Sequence, residues 1–366
     1  MKGSNSDLLD DFFRRGLIRL SRGPLFDLDP PPLPETVWDR VEGMLLGLAI
    51  GDALGHGSES LVPAVRRERF AEIRMYLDRP GFGGAVGLPS DNTQLAFWTL
   101  EHLLECGGLE PSRLAHSFAH SGHIYGLGST VREFLRRFKE EHLPWEQCGP
   151  DSAGNGALMR IAPVLIPYVA RPSRRLWADV ALAAMLTHND ATSTSACLTF
   201  VHLLWQALAM DRPPSPDWWW RTYVDIARPL EGDVQLQSRV PRDTFVGPLW
   251  RFVEEGMPEA LEEGWSTLEA GEHWYSGAFL LETVPNVLFI LARYAQDPQE
   301  AVVRAVNDTR DNDTIAAIVG AAVGALHGKA AWPRDWLEGL SGRTREDDDG
   351  RVFALIREAK ERFGPA

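Results

Sequence analysis

A glycine recurs at every fourth position from Gly43 to Gly55, in the segment GMLLGLAIGDALG. Because an α-helix turns about once every 3.6 residues, these glycines lie on one helix face. Each glycine inside a helix costs about 0.5 to 1 kcal/mol relative to alanine, so glycines in register imply a compensating contact. We expect another helix to approach this face closely. Gly320 and Gly324 repeat the spacing within a run of small residues, which predicts the partner helix.

The rest of the chain also has a helical pattern. From Val37 onward, apolar residues recur three and four positions apart, with breaks at glycine, proline and Asn/Asp clusters. Strand signals are scarce, and no Ser/Gly-rich linker divides residues 37–340. The sequence therefore predicts a compact, single-domain, all-α fold over residues 37–366. The predicted helices are 36–54, 93–105, 111–120, 129–139, 177–187, 193–209, 217–227, 279–294, 298–306, 313–326 and 350–363.

Residues 1–36 are expected to form a separate N-terminal arm. A short amphipathic stretch, residues 8–17, is followed by the proline-rich segment 29–34. Proline fixes φ and removes a hydrogen-bond donor, so this segment should be extended. The arm either packs on its own domain or holds a partner, and the apolar spacing does not decide between the two.

Composition excludes several classes of partner. A formal net charge of −14 disfavours binding to nucleic acid and to anionic membranes, because such binding needs clustered basic residues.

Cys106, Cys148 and Cys197 are odd in number and show no metal-binding spacing, which favours a reducing compartment. The N-terminus lacks the apolar core of a secretion signal, and the longest apolar run, 314–326, is too short to span a bilayer. We therefore expect a cytoplasmic protein.

Two acidic side chains lie in and just beyond the glycine-bearing helix. Asp52 is inside the apolar helix, where burying an unpaired carboxylate would be costly. Its side chain therefore needs either a hydrogen-bonding or charged partner or a solvent-accessible site. Glu59 follows the helix end at Gly55 and could point beyond the helix terminus. A loop glutamate by itself is usually just solvated.

Two oxygen-rich segments each precede an apolar helix, SDNT at 90–93 and NDTRDNDT at 307–314. Helix capping explains part of this composition, but neither segment needs so many oxygen-bearing side chains for one cap. If both converge, Asp91, Asp311 and Asp313 come together and repel one another unless a cation neutralises them. Hard cations such as Mg²⁺ prefer oxygen ligands. The two segments together predict a metal site.

Two further polar segments are weak signals on their own. GNGALMR at 154–160 could expose backbone N–H groups to a phosphate. THND at 187–190 is a polar segment between two predicted helices, and a lone histidine such as His188 is more often a structural cap than a catalytic residue.

Taken in order, these segments resemble the ADP-ribosylglycohydrolase family over about residues 37–328. The matching blocks are GMLLGLAIGDALG with Glu59, SDNT, GNGALMRIAP, THND and DNDTIAAIVGA. The resemblance implies an all-α fold and a cleft for ADP-ribose, with two Mg²⁺ ions, or Mn²⁺, at its base. The implied metal ligands are Ser90, Asp91, Asn92, Asp311, Asp313 and Thr314. The implied catalytic residues are Glu59 and Asp311, and the implied cleft residues are Asn155, Gly156 and His188.

The chain departs from the family pattern at two places. Asn92 stands where the family usually has a second aspartate, and Thr309-Arg310 replaces a Gly-Gly pair. An amide offers an oxygen but no charge, so one metal should bind more weakly than in a typical member. Arg310 brings positive charge either towards a substrate phosphate or to Asp308.

The resemblance implies metal-dependent hydrolysis of the N-glycosidic bond between ADP-ribose and a protein side chain, most simply arginine, although serine linkage stays open. Such a reaction reverses ADP-ribosylation, and some family members give immunity to ADP-ribosyltransferase toxins. The competing hypothesis is a non-catalytic immunity protein that occludes a cognate toxin through residues 1–36, because immunity members are similar to this chain in carrying an N-terminal extension.

Overall fold

The computed structural model describes residues 3–79, 81, 84–240 and 243–364, and 63% of the chain is helical against 3% strand. The all-α prediction is confirmed. Two short antiparallel hairpins pair β1 (Asp78–Arg79) with β2 (Gly84–Ala85) and β3 (Leu236–Gln237) with β4 (Val246–Gly247). The helices are α1 (Asn5–Arg15), α2 (Trp38–His56), α3 (Pro63–Phe70), α4 (Asp91–Cys106), α5 (Pro111–His120), α6 (Ser129–Lys139), α7 (Arg175–Met185), α8 (Ala191–Ala209), α9 (Pro216–Glu231), α10 (Leu249–Glu262), α11 (Thr267–His273), α12 (Leu280–Tyr294), α13 (Pro298–Asp308), α14 (Asn312–His327), α15 (Arg334–Gly339) and α16 (Arg351–Phe363).

The centre of the molecule is the contact between α2 and α14, which confirms the expected glycine-mediated approach. A Cβ atom added to Gly47 would lie 2.2 Å from the carbonyl oxygen of Gly320, and one added to Gly324 would lie 2.2 Å from that of Gly43. Real Cβ atoms essentially never approach other atoms within 3.0 Å. The two backbones therefore touch directly, and only glycine fits at these positions.

This contact also fixes what lies at the helix ends. At the C-terminal end of α2, a Cβ on Gly55 would lie 2.4 Å from Cα of Asp313, which is in the first turn of α14. The C-terminus of one helix is thus held against the N-terminus of the other. Since the polar residues of both helices gather there, the glycine contact sets the geometry of the candidate site.

The described part of the arm, residues 3–36, lies against its own domain. Leu9 and Phe12 in α1 are buried. The side chain of Asn189 donates to the carbonyl oxygen of Leu17 at 2.7 Å, and the indole of Trp177 donates to that of Leu28 at 2.7 Å. Of the two alternatives for the arm, the structure shows packing on its own domain. Residues 1 and 2 lie outside the described residues.

Among the described residues, no helix combines the length and the apolar character needed to cross a bilayer.

Candidate active site

The two oxygen-rich segments meet at the N-termini of α4 and α14. Ser90 Oγ and Asn92 Nδ2 each lie 3.4 Å from Asp313 Oδ2. The hydroxyl of Thr314 donates to Asn92 Oδ1 at 3.2 Å. Side chains as much as 223 positions apart in the chain therefore share one small, buried volume.

Asp52 holds the N-terminus of α4 in place. Its carboxylate accepts hydrogen bonds from the backbone N–H and the hydroxyl of Ser90, at 2.9 and 2.7 Å. It accepts two more from the backbone N–H and the hydroxyl of Thr93, at 3.0 and 2.5 Å. The side chain is fully buried. The hydrogen-bond partners expected for the buried Asp52 are thus residues at the start of α4. Because Ser90 and Thr93 flank Asp91 in the chain, Asp52 helps to position Asp91 and does not itself face the cleft.

Asp91, Asp311 and Asp313 lie close together, with Asp91 and Asp313 buried and Asp311 half-buried. Burial raises the pKa of Asp91 well above its ordinary value, and repulsion from Asp52 and Glu59 raises it further. Burial likewise raises the pKa of Asp313 well above its usual range, with repulsion from Asp311 and Glu59 adding to the effect. A divalent cation among these oxygens would relieve the repulsion.

The donor atoms fit a hard cation. Ligand atoms of His56, Glu59 and Asp313 all lie within 4.8 Å of one another. The hydroxyl, amide and carboxylate oxygens of the two segments around them are the ligands that Mg²⁺ prefers. Neutral Asn92 donates through Nδ2 to Ser90 Oγ at 2.9 Å and lies 3.3 Å from Asp52 Oδ1, so it adds hydrogen bonds where an aspartate would add charge.

Glu59 stands at the edge of this cluster on the loop after α2. Its side chain is 37% exposed, and its Oε2 lies 3.3 Å from Nδ1 of His56. The same His56 nitrogen lies 4.0 Å from Asp313 Oδ2. His56, the last residue of α2, was not predicted as a site residue, although its position three residues before Glu59 was the available signal.

A buried arginine fixes the Glu59 loop relative to the segment before Asp311. The guanidinium of Arg66 donates to Ser58 Oγ at 3.0 Å and to the carbonyl oxygen of Leu61 at 2.8 Å, on either side of Glu59. It also donates to the carbonyl oxygen of Thr309 at 2.7 Å. Sequence reasoning missed Arg66, because nothing in the string PAVRRERF distinguishes it from the arginine beside it.

A cavity of about 270 Å³ opens above the cluster. Ser90 and Asn92 are fully buried beneath its floor. The predicted site residues that line it are Glu59, Asp91, Asn155, Gly156, His188, Asp311, Asp313 and Thr314.

The GNG turn and His188 form a wall of the cavity beside Asp311. Nδ2 of Asn155 donates to Asp311 Oδ2 at 2.6 Å and so orients that carboxylate. A Cβ on Gly156 would lie 2.9 Å from the ring of His188, which explains the need for glycine there. Burial lowers the pKa of His188 to about 3, so its imidazole is neutral near pH 7.

Neither Arg239 nor Phe279 was predicted from the sequence as a site residue. Arg239, on the loop between β3 and β4, and Phe279, just before α12, line the cavity. Arg239 pairs with the buried Glu282 of α12. Arg310 pairs with Glu272 at 3.2 Å and stacks on Tyr275; among the described residues it makes no ion pair with Asp308.

Known proteins resemble this chain in sequence, and a solved structure resembles it in fold. The chain is 25% identical to the ADP-ribosylarginine hydrolase Tri1 of Pseudomonas putida, over 83% of this chain and 75% of that protein. It is 25% identical to the ADP-ribosyl-[dinitrogen reductase] glycohydrolase of Rhodospirillum rubrum, over 88% and 97%. A solved ADP-ribosylglycohydrolase-related protein complex superposes with a TM-score of 0.65 at 28% identity, covering 90% of this chain and 99% of that one. The family model for ADP-ribosylglycohydrolase matches residues 33–363, so the chain belongs to the ADP-ribosylglycohydrolase family, a family of glycosidases.

Proposed function

We propose that this enzyme hydrolyses the N-glycosidic bond between ADP-ribose and an arginine side chain of a modified protein, and that the reaction depends on Mg²⁺ or Mn²⁺. The observation that carries the proposal is the meeting of Asp91, Asp311 and Asp313 at the floor of one cavity. The similarity to an ADP-ribosylarginine hydrolase supports arginine as the linked side chain.

Of the six metal ligands implied by the sequence, Asp91, Asp311, Asp313 and Thr314 line the cavity and would hold the metal. Ser90 and Asn92 are fully buried, so we assign them to supporting these ligands rather than to direct coordination. A bound divalent ion supplies positive charge to the ribose hydroxyls and lowers the pKa of a nearby water. We expect two ions, as the resemblance to the family implies.

The protein's own groups complete the reaction. Glu59 is the partly exposed carboxylate at the edge of the cluster, and it would take the proton of the attacking water or orient it. Asn155 holds Asp311 towards the cavity. As the C–N bond breaks, the ribose gains oxocarbenium character, which nearby carboxylates such as Asp311 would stabilise, and the departing guanidine nitrogen would take up the proton that the attacking water gives to Glu59. The products are ADP-ribose and unmodified arginine.

The contacts of the arm favour catalysis over occlusion of a toxin. Leu9 and Phe12 of α1 are buried by the chain itself, and the other apolar residues of this helix, Leu8 and Phe13, are partly buried against the same core. The indole N–H groups of Trp177 and Trp205 donate to the backbone carbonyl oxygens of Leu28 and Pro31, which lie in and next to the proline-rich segment of the arm.

All three cysteines are unpaired, which supports action in a reducing compartment, the cytoplasm. Removal, in the cytoplasm, of the ADP-ribose that a toxin has attached to a protein would be the basis of any immunity role.

Release of ADP-ribose from an arginine-modified protein tests the proposal. We expect release in Mg²⁺, a fall to the uncatalysed rate in excess EDTA, and recovery when Mn²⁺ is added, because the carboxylate cluster requires the cation's charge. A serine-modified protein, assayed in parallel, tests the choice of linkage. Equal release with and without EDTA would show that the metal has no role.

A further inference from the structure

The charge of the cavity poses a problem for its proposed ligand. Four acidic residues line it, namely Glu59, Asp91, Asp311 and Asp313, whereas ADP-ribose carries an anionic diphosphate. Metal ions at the floor would neutralise the acidic end. The diphosphate needs a separate positive group further along the cleft. Among the described residues that line the cavity, Arg239 is the one arginine or lysine.

Arg239 is held rigidly for a side chain on a loop. Its Nε and Nη2 donate to the two carboxylate oxygens of Glu282, at 2.9 and 3.0 Å. The guanidinium carbon also lies 4.4 Å from the centre of the Phe279 ring. The side chain of Glu282 is only 2% exposed. Because an unpaired carboxylate buried there would be strongly unfavourable, the pair should persist when a ligand binds.

The paired guanidinium still has donors to offer. Two of its five N–H groups are used on Glu282, and Nη1 makes no hydrogen bond to the described residues. The Arg239 side chain is 58% exposed and lines the cavity, so its remaining donors are accessible to a ligand. Its one ion pair within 4.0 Å among the described residues is with Glu282, so it does not neutralise the metal-binding carboxylates.

The wall on which Arg239 stands is continuous with the GNG turn. The N–H of Asn155 donates to the carbonyl oxygen of Ala278 at 3.0 Å, and that of Leu280 donates to Ala153 at 2.9 Å. Phe279 therefore lies directly beside the turn that the sequence suggested for phosphate binding. A phosphate group on this wall would meet both the turn and the guanidinium.

We propose that Arg239 binds the diphosphate of ADP-ribose, with Glu282 and Phe279 holding its guanidinium in position. This inference rests on the proposed function, because it assumes ADP-ribose as the ligand. Arg239 is a binding residue in this account and not a catalytic one, since it pairs with none of the carboxylates at the cavity floor. Its interaction is the same in the ground state and in the transition state, so its loss should raise KM and leave kcat nearly unchanged.

The test compares Arg239→Gln with a matched control, Arg221→Gln. Arg221 in α9 also stacks on an aromatic ring, Trp220, at 4.6 Å and also pairs with an acidic residue, Asp217, but it does not line the cavity. With Mg²⁺ saturating, Arg239→Gln should raise KM for the modified protein and Kd for ADP-ribose by roughly tenfold or more. Arg221→Gln should match the wild type. Adenosine, which lacks phosphate, should bind all three proteins equally.

The outcomes separate this inference from the proposed function. An unchanged Kd for ADP-ribose in Arg239→Gln, or a fall in kcat without a rise in KM, would overturn the role of Arg239 while leaving the activity in place. A wild-type protein that neither binds ADP-ribose nor releases it would overturn both. Arg239→Lys keeps the charge but not the paired geometry, and an increase in Kd smaller than that of Arg239→Gln is expected. If Arg239→Gln folds poorly, Arg239→Lys still tests the inference, and wild-type affinity in that variant would contradict it.

Discussion

Replacing Asp313 by asparagine should reduce ADP-ribose release to near the uncatalysed rate without unfolding the protein. Asp313 Oδ2 lies 3.4 Å from both Ser90 Oγ and Asn92 Nδ2 of the first oxygen-rich segment, and 4.0 Å from Nδ1 of His56. Asparagine keeps its shape but removes the charge that attracts the cation. Because burial and like charges raise the pKa of Asp313, the neutral variant should also be at least as stable as the wild type in EDTA. Initial rates of ADP-ribose release and thermal melting in EDTA measure the two effects.

The control is the same substitution at an aspartate remote from the cleft. Asp297 caps α13 through its side chain, which accepts from the N–H of Glu300 at 3.0 Å, and asparagine caps helices equally well. Asp297→Asn should therefore leave both activity and stability unchanged. If Asp313→Asn retains full activity, the cluster is not the catalytic centre.

Replacing Gly47 by alanine should lower the free energy of unfolding by roughly 3 kcal/mol. The added Cβ would lie 2.2 Å from the carbonyl oxygen of Gly320 and 2.5 Å from the ring of Trp332. A flexible side chain could move away, but a backbone carbonyl inside a packed helix cannot, so α2 and α14 must separate. Urea denaturation followed by circular dichroism gives the change directly.

Gly108→Ala provides the comparison, because a Cβ there has no neighbour within 4 Å. Its effect should be within about 0.5 kcal/mol. Since the α2–α14 contact also places Asp313, Gly47→Ala should weaken metal binding along with stability. Equal unfolding free energies for Gly47→Ala and Gly108→Ala would mean that the close approach of the two helices is not needed.

The central part of the fold could be predicted because its signal is local and periodic. Glycines four residues apart indicate a helix face that touches another backbone, and the same spacing at Gly320 and Gly324 identified the partner. The helix α10 was missed, because Gly256 and Pro258 are typical of helix breaks. Packing of Val253 and Met257 in the core outweighs that local preference.

The candidate site was predictable only where its residues are neighbours in the chain. The segments at 90–93 and 307–314 each concentrate oxygen atoms that one helix cap does not require. Arg66 and the pair of Arg239 with Glu282 have no such local signal. Arg239 and Glu282 are 43 positions apart, and only the fold brings them together. A single arginine in a loop is ordinarily just solvated, so its burial or pairing has to be seen in three dimensions.

Crystals grown with Mn²⁺ would locate the ion by its anomalous scattering and so test whether the three carboxylates bind it. We expect Mn²⁺ peaks about 2 to 2.5 Å from carboxylate oxygens of Asp91, Asp311 and Asp313. The absence of any peak at these three carboxylates, in crystals of protein that releases ADP-ribose, would contradict the proposed metal site.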